Sequence, residues 1–298
     1  MQLRQIEVFH AVMITGSTVA AAEMLNVTQP AISTTLKRMQ DELGLVLLSN
    51  AAGRLVPTPE AHELFAQAHA IQEDVESLRR LARLLATGKV GTLRLGVVPA
   101  VSEGILARAV MEIRGEAPDL ALSVDVLNSH DLVNRLTGGR LDLACVFGAE
   151  HGVPLETLFS CRVPLVCVAP LGAFDDGRDV SPDDLAALPQ AAMRATDPIG
   201  RLLAGWSAKK PAQPVVELRS SRGVLALARA GVAAGVVDTL TLNEAGPGSI
   251  VVAPLSPPLE VDFRILRVAS GPRSTSIERA CEALSRAVRS SLAGDAPA

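Results

Sequence analysis

Apolar residues at Leu3, Ile6, Val8, Phe9, Val12 and Met13 follow a mainly helical spacing, and Gly16 is placed to end the helix they predict. Ser17 can cap a second helix, Thr18 to Leu25, whose alanines permit close approach of a neighbour. After a short turn at Asn26-Val27, Thr28 is a natural N-cap, Gln29 opens a third helix, and Pro30 sits in its first turn, where a missing N–H costs nothing. Ile32, Leu36, Met39 and Leu43 give that helix a buried stripe. Gln29, Ser33 and Lys37 recur on its other side. A solvated helix usually carries Glu and Lys there, whereas short polar groups near a helix N-terminus suit the base edges of a DNA major groove. Past Gly44, the runs Leu45–Leu48 and Arg54–Val56 flank Ser49–Gly53 and predict a two-stranded wing, with Arg54 placed for a phosphate.

From Pro59 to Ala86 the chain has no Gly or internal Pro and is rich in good helix formers. Leu64, Ala68, Ile71, Val75, Leu78, Ala82 and Leu85 step alternately by four and three, a heptad seam that favours a partner helix over packing on its own domain. Pairing through this helix would set two recognition helices about 34 Å apart or a multiple of it, which implies an inverted-repeat operator.

Gly88–Gly91 breaks the helix and predicts a hinge. Beyond it short apolar strands alternate with helices: Leu93–Val98, Ile105–Arg114, Leu120–Leu127, Leu132–Leu136 and Leu141–Phe147. A second set runs through Leu165–Ala169, Ala191–Arg194, Ile199–Trp206, Val215–Leu218, Val224–Ala230 and Ala233–Val237, and a long strand, Val261–Val268, precedes a helix from Ser274 to Leu292. The pattern predicts an α/β unit with a largely parallel sheet, built as two lobes with the second inserted in the first.

Composition then narrows the function. With 298 residues, 48% of them hydrophobic and 20% charged, the chain is expected to form two or three ordered units, with disorder confined chiefly to the 294–298 tail. Met1–Glu7 has no basic region followed by an apolar stretch, and no uncharged apolar run reaches the roughly 18 residues of a membrane span. A soluble cytoplasmic protein with no membrane partner is the expectation. The net charge of −4 does not advertise nucleic-acid binding, so that inference rests on the local motif. Cys145, Cys161, Cys167 and Cys281 form no Cys-x-x-Cys pair and read as buried thiols, with a redox switch on Cys161 and Cys167 as the alternative. His10, His62, His69, His130 and His151 lack metal-ligand spacing, so neither a metal nor a cofactor is expected. The absence of a nucleophile elbow, a P-loop and a dinucleotide fingerprint argues against an enzyme. A small-molecule binding or transport protein is the rival reading.

The segments Gly16-Ser-Thr-Val-Ala-Ala-Ala22, Leu25-Asn-Val-Thr-Gln-Pro-Ala-Ile-Ser33, Leu43-Gly44 and Thr58-Pro-Glu-Ala61 together resemble the DNA-binding domain of the LysR-type transcriptional regulators. The Thr-Gln-Pro-Ala-Ile-Ser piece is the most diagnostic. The chain departs from the family at Thr34 and Asn50, where members commonly carry basic residues. Through residue 62, Arg4, Lys37, Arg38 and Arg54 are outweighed by Glu7, Glu23, Asp41, Glu42 and Glu60, which implies weaker nonspecific binding and a gentler salt dependence. Candidate DNA-binding residues are Thr28, Gln29, Pro30, Ser33, Thr34, Lys37 and Arg54.

The resemblance implies a winged helix-turn-helix at 1–58, a dimerisation helix at 59–87, the hinge at 88–91 and an effector-binding domain at 92–293. That last domain is expected to be two-lobed and like periplasmic binding proteins, with lobe I at about 92–162 and 267–293 and lobe II at about 163–266. The expected partners are double-stranded DNA, a small polar or anionic metabolite, RNA polymerase and further copies of the chain, as a dimer or tetramer. In such folds ligands sit outside the carboxyl ends of strands. Those positions are Pro99, Ala100, Ser102, Asn128, Ser129, Phe147 and Gly148, with Arg194, Ala195, Thr196 and Asp238 across the cleft. Ser102 and Ser129 also read as N-caps, and Arg194 suits either an anionic effector or a surface carboxylate.

Overall fold

The structure, a computed structural model, describes residues 1–51, 54–87, 92–148, 155–174, 178–206, 215–244, 250–269 and 274–294. The chain divides into two compact units, Met1–Gly88 and Lys89–Ala298, each with its own hydrophobic core. The expected hinge at 88–91, His151 and tail residues 295–298 lie outside the described residues.

In the first unit, helices α1 (Leu3–Thr15), α2 (Thr18–Met24) and α3 (Gln29–Leu43) enclose a core in which Phe9, Ile32 and Met39 are almost fully buried. Each end is set locally. Gly16 and Gly44 terminate α1 and α3 in the left-handed conformation, and Ser17 Oγ caps α2 by accepting from the Val19 and Ala20 amides. Thr28 takes the N-cap position of α3 without a side-chain cap bond.

The wing is shorter at its start than the apolar run suggests, with strands β1 (Leu48–Ala51) and β2 (Arg54–Pro57) pairing antiparallel. Gln40 is the reason. Its side-chain oxygen accepts from the Leu47 and Leu48 amides at 2.8 and 3.1 Å, which fixes the chain leaving α3 before it can pair as a strand.

Helix α4 (Pro59–Thr87) runs 29 residues. Its first turns belong to this unit's own core: Ala61 and Ala68 are buried, and Leu64 and Phe65 pack beside them. Farther along, Ile71 and Leu78 are exposed by 36% and 67%, so the heptad positions divide into a committed half and an uncovered half.

In the second unit, parallel strands β3 (Leu93–Val97), β4 (Leu122–Val126) and β5 (Leu143–Phe147) form lobe I with helices α5 (Gly104–Glu116), α6 (Ser129–Thr137) and α11 (Thr275–Ala293). A single 3-10 turn, Pro99–Val101, follows β3. The chain enters lobe II along β6 (Leu155–Pro170) and returns along β11 (Glu260–Val268), which pair antiparallel. Lobe II holds α7 (Pro182–Ala186), β7 (Ala191–Met193), α8 (Pro198–Trp206), β8 (Val216–Leu218), α9 (Ser221–Arg229), β9 (Gly235–Asp238), α10 (Thr239–Glu244) and β10 (Ile250–Pro254).

The sheet is mixed rather than largely parallel. β6 and β11 traverse both lobes, and each imposes antiparallel pairing on its neighbours: β5 on β11, and β9 and β10 on β6. The fully buried β5 reads as a continuous apolar run because both its faces are covered.

Gly200, in the first turn of α8, lies against the carbonyl of Arg194, where any Cβ would collide with backbone. That contact seats the helix directly on the turn that follows β7. Gly200→Ala should therefore cost about 1–3 kcal/mol of stability, as overpacking does, read as a lower urea midpoint for the second unit.

Candidate DNA-binding surface and effector cleft

On α3 the apolar stripe turns Ile32, Leu36 and Met39 inward and leaves Gln29, Pro30, Thr34 and Lys37 exposed, with Ser33 half-buried beside them. The side chain of Gln29 is held in place. Its Nε2 donates to Ser33 Oγ at 2.9 Å and to Thr18 Oγ1 at 3.3 Å, so the start of α2 braces the start of α3. Thr28 is exposed at the N-cap. Arg54 opens β2, but its side chain and that of Asn50 lie outside the described residues. Arg38 is turned aside into an ion pair with Glu42 at 3.0 Å, which leaves Lys37 as the exposed cation of this helix without an ion pair among the described residues.

Two histidines of the first unit, on α1 and α4, are locally bonded. His10 Nε2 and His69 Nδ1 lie 2.9 Å apart, and His10 stacks on Phe65. Among the described residues no group of three His, Cys, Asp or Glu side chains could hold a metal ion, and no helix is long and apolar enough to cross a membrane.

In the second unit, the carboxyl ends of β3, β4, β5, β8 and β9 converge with the start of α8 on a cleft of about 30 Å³, lined in part by Pro99, Ala100, Asn128, Ser129, Phe147, Asp197, Pro198, Arg219, Ser220, Ser221 and Asp238. That is room for about one water molecule. The N-termini of α6, α8 and α9 all meet this cleft, an arrangement whose unpaired N–H groups favour anions.

Polar groups join the two walls. Arg222 of lobe II donates from Nε to the Pro99 carbonyl at 2.6 Å and ion-pairs with Glu103, both in lobe I. Arg219 lies 3.9 Å from Asp131 of lobe I and 3.6 Å from Asp197 of lobe II. Asp197 is 4% exposed and its Oδ2 has no hydrogen-bond partner among the described residues. A buried polar oxygen left without a partner costs about 1–3 kcal/mol.

Six of the residues expected at the strand ends are thus brought together: Pro99, Ala100, Asn128, Ser129, Phe147 and Asp238. Two are not. Ser102 faces away, its hydroxyl donating to the Pro99 carbonyl at 2.9 Å, and Arg194 is exposed outside the lining. Thr196, with Ser129, Phe147 and Gly148, borders a wider open groove of about 1170 Å³ beside the cleft. Capping also differs from expectation. Asn128 caps α6 by accepting from Asp131 N at 3.1 Å, which frees Ser129 Oγ to accept from Phe147 N, and the N-cap of α5 is Glu103 rather than Ser102.

The cysteines hold no exposed reactive pair. Burial pushes the Cys167 thiol up to about 12, and it raises Cys145, Cys161 and Cys281 too. Cys161 and Cys167 lie six positions apart within the one strand β6, about 20 Å at the rise of a strand and too far for a disulfide with each other.

The bacterial regulatory helix-turn-helix family of the LysR type matches residues 3–62, and the LysR substrate binding domain family matches residues 86–289. The chain belongs to the LysR family. It is a DNA-binding transcriptional regulator with an effector-binding domain, and its relatives are regulators rather than enzymes. It is 29% identical over 290 residues to the octopine catabolism/uptake operon regulatory protein OccR of Rhizobium meliloti, covering 94% of this chain and 93% of that one. The transcriptional activator LysR of Escherichia coli is 28% identical over 93% of this chain and 90% of its own. The fold matches the LysR-family regulator CbnR with a TM-score of 0.66 at 20% identity, over 96% of this chain and 99% of that one, and CbnR complexed with its target DNA with 0.65.

Asp238 gives the LysR-family cleft a pH signature. Its carboxylate caps α10 by accepting from Thr241 N and Thr241 Oγ1 at 2.8 and 3.0 Å, yet complete burial raises its pKa above the ordinary value. As pH rises through the carboxylate range, the unfolded chain loses this proton first. The group then costs the fold progressively more, until it ionises in the native state too. Urea titrations across the acid range should show the stability of Asp238→Asn relative to wild type increasing with pH. A constant difference would contradict the assignment.

Proposed function

We propose that this regulator reads an inverted-repeat operator with α3, and that a small polar or anionic metabolite held between the lobes controls it. Gln29, Ser33 and Thr34 contact base edges, Thr28 and Pro30 start the helix against the backbone, and Lys37 and Arg54 meet phosphates. The observation that carries this reading is the exposed, uncharged polar face at the N-terminal end of α3, braced by the Gln29, Ser33 and Thr18 bonds. Amide and hydroxyl groups in that place can match the donor and acceptor pattern of a base pair.

A dimer forms through the uncovered part of α4. Ile71, Val75, Leu78 and Ala82 supply that seam, while Leu64 and Ala68 serve the chain's own core; the side chain of Leu85 lies outside the described residues. Pairing of two dimers to a tetramer and contact with RNA polymerase complete the expected assembly. The effector site is the cleft bounded by Pro99, Asn128, Ser129, Phe147 and Asp238, and the closure by Arg219 and Arg222 represents a state that ligand entry must open. A peroxide-sensing reading, suggested by relatives such as the hydrogen peroxide-inducible genes activator of Haemophilus influenzae, finds no low-pKa thiol among the four cysteines.

In gel-shift titrations, Ser33→Ala or Gln29→Ala should lose about 1–3 kcal/mol for the operator and little for random DNA. Lys37→Ala should weaken both and reduce the salt slope by about one. Equal losses on both DNAs for Ser33→Ala would refute the assigned helix orientation.

Ile71→Asp places a carboxylate in the seam of both copies and should convert the protein to monomer in sedimentation, with the helical circular dichroism retained. An unchanged oligomer with full operator affinity would refute the seam.

A further inference from the structure

The cleft carries a charge pattern more specific than an anion site. At the start of α8, Asp197 is 4% exposed and lines the cleft, and its Oδ2 has no hydrogen-bond partner among the described residues. Its backbone carbonyl receives the Arg201 amide at 2.9 Å, so Asp197 stands where a capping residue stands, but this oxygen is not spent on a cap. The nearby Asp238 is the contrast: both its oxygens are engaged by Thr241.

Arg219 is the cation that faces Asp197, and it does so weakly. At 3.6 Å to Asp197 and 3.9 Å to Asp131, neither approach is a hydrogen bond, and Arg219 remains 40% exposed. It is shared between the lobes and free to exchange either carboxylate for another. Close by, Asn128 and Ser129 present the N-terminus of α6. The cleft thus offers a carboxylate awaiting a donor, an arginine awaiting a better acceptor, and a helix end that favours oxygens. A ligand with carboxylates alone would bring like charge against Asp197; an amine alone would leave Arg219 and the helix end unmatched.

We propose that the effector is a zwitterion of the α-amino-acid class, whose ammonium or guanidinium group donates to Asp197 Oδ2 and whose carboxylate accepts from Arg219 and the N-terminus of α6. This rests on the cleft being the effector site. On binding, Arg219 trades its two long approaches for one carboxylate, and the cation takes its place at Asp197. Because Asp131 stands in the other lobe, that exchange removes one tie across the cleft as the ligand enters.

The test is calorimetry on the full-length protein with the protein amino acids and ornithine, the corresponding decarboxylated amines, and the dicarboxylates succinate and glutarate. At least one amino acid should bind, with its amine and the dicarboxylates weaker by about tenfold or more, the scale of one charge-assisted hydrogen bond. Asp197→Asn should weaken that amino acid by about tenfold or more and leave the dicarboxylates unchanged or tighter. If that variant does not fold, Arg219→Gln carries the test: amino-acid affinity falls while that of the amine rises, since no resident cation then competes for Asp197. Binding of dicarboxylates alone, lost in Asn128→Ala but indifferent to position 197, would overturn the zwitterion and leave the cleft standing. Binding indifferent to positions 128, 197 and 219 together would overturn the cleft assignment itself. Failure of every amino acid to bind would also overturn the proposal.

Discussion

The pairing of β6 with β11 is the constraint on which the second unit depends. Along one stretch Val261, Phe263 and Ile265 of β11 face Val163, Cys161 and Phe159 of β6, while β11 also borders β5 of lobe I through Phe263 and Phe147. Farther on, β6 leaves that sheet and supports lobe II, with Leu165 opposite Asp238 of β9. The two lobes therefore share continuous backbone ladders. They can rotate by twisting this pair, and separating them would mean breaking many hydrogen bonds at once. The cleft residues Phe147 and Asp238 are direct register partners of these two strands, so any twist is felt at once in the cleft.

Against that stiff frame, the ties across the cleft are few and polar. Arg222 reaches the Pro99 carbonyl and Glu103, and Arg219 stands between Asp131 and Asp197. Partly exposed ion pairs of this kind are worth little each. A closed arrangement held by such terms lies within reach of the binding energy of a small ligand, and only a ligand with unequal affinity for the two arrangements can shift their balance. The design separates roles: apolar burial around Leu95, Leu143 and Phe263 holds the lobes' shape, while exchangeable charges hold their angle.

Where a residue's neighbours lie close in sequence, the fold was legible in advance. The helical spacing, the glycines at 16 and 44 and Pro30 place α1 to α3 almost to the residue, because caps and stripes act within a few positions. The apolar run of β5 was equally plain. The first half of β6, Leu155 to Val163, was not, since Glu156, Ser160 and Arg162 interrupt its apolar positions and its partner β11 lies about a hundred residues away in sequence. In the cleft, reading the residues after each strand found Pro99, Asn128, Phe147 and Asp238, and the same rule applied to β8 would have found Arg219, Ser220 and Ser221. Ser102 lies outside the lining because it closes the 3-10 turn after β3 and its hydroxyl bonds the Pro99 carbonyl, and Arg194 because it is exposed beyond the end of β7. Asp197 carries no sequence signal that distinguishes it from an ordinary helix cap; only its burial with an unused oxygen does.

The bonds from Gln29 to Ser33 and Thr18 have a consequence for how slowly a regulator poor in cations can afford to search. In the absence of DNA the Gln29 amide nitrogen is already engaged by Ser33 and Thr18, so under the proposed contacts a base edge gains from it only by offering an acceptor in better geometry. Under the proposed contacts a mismatched site meets an occupied amide and little electrostatic attraction, and is expected to be left quickly. On that proposal long residence belongs to the sequence that displaces these bonds, which puts the sorting of sites in the off-rate rather than in the encounter.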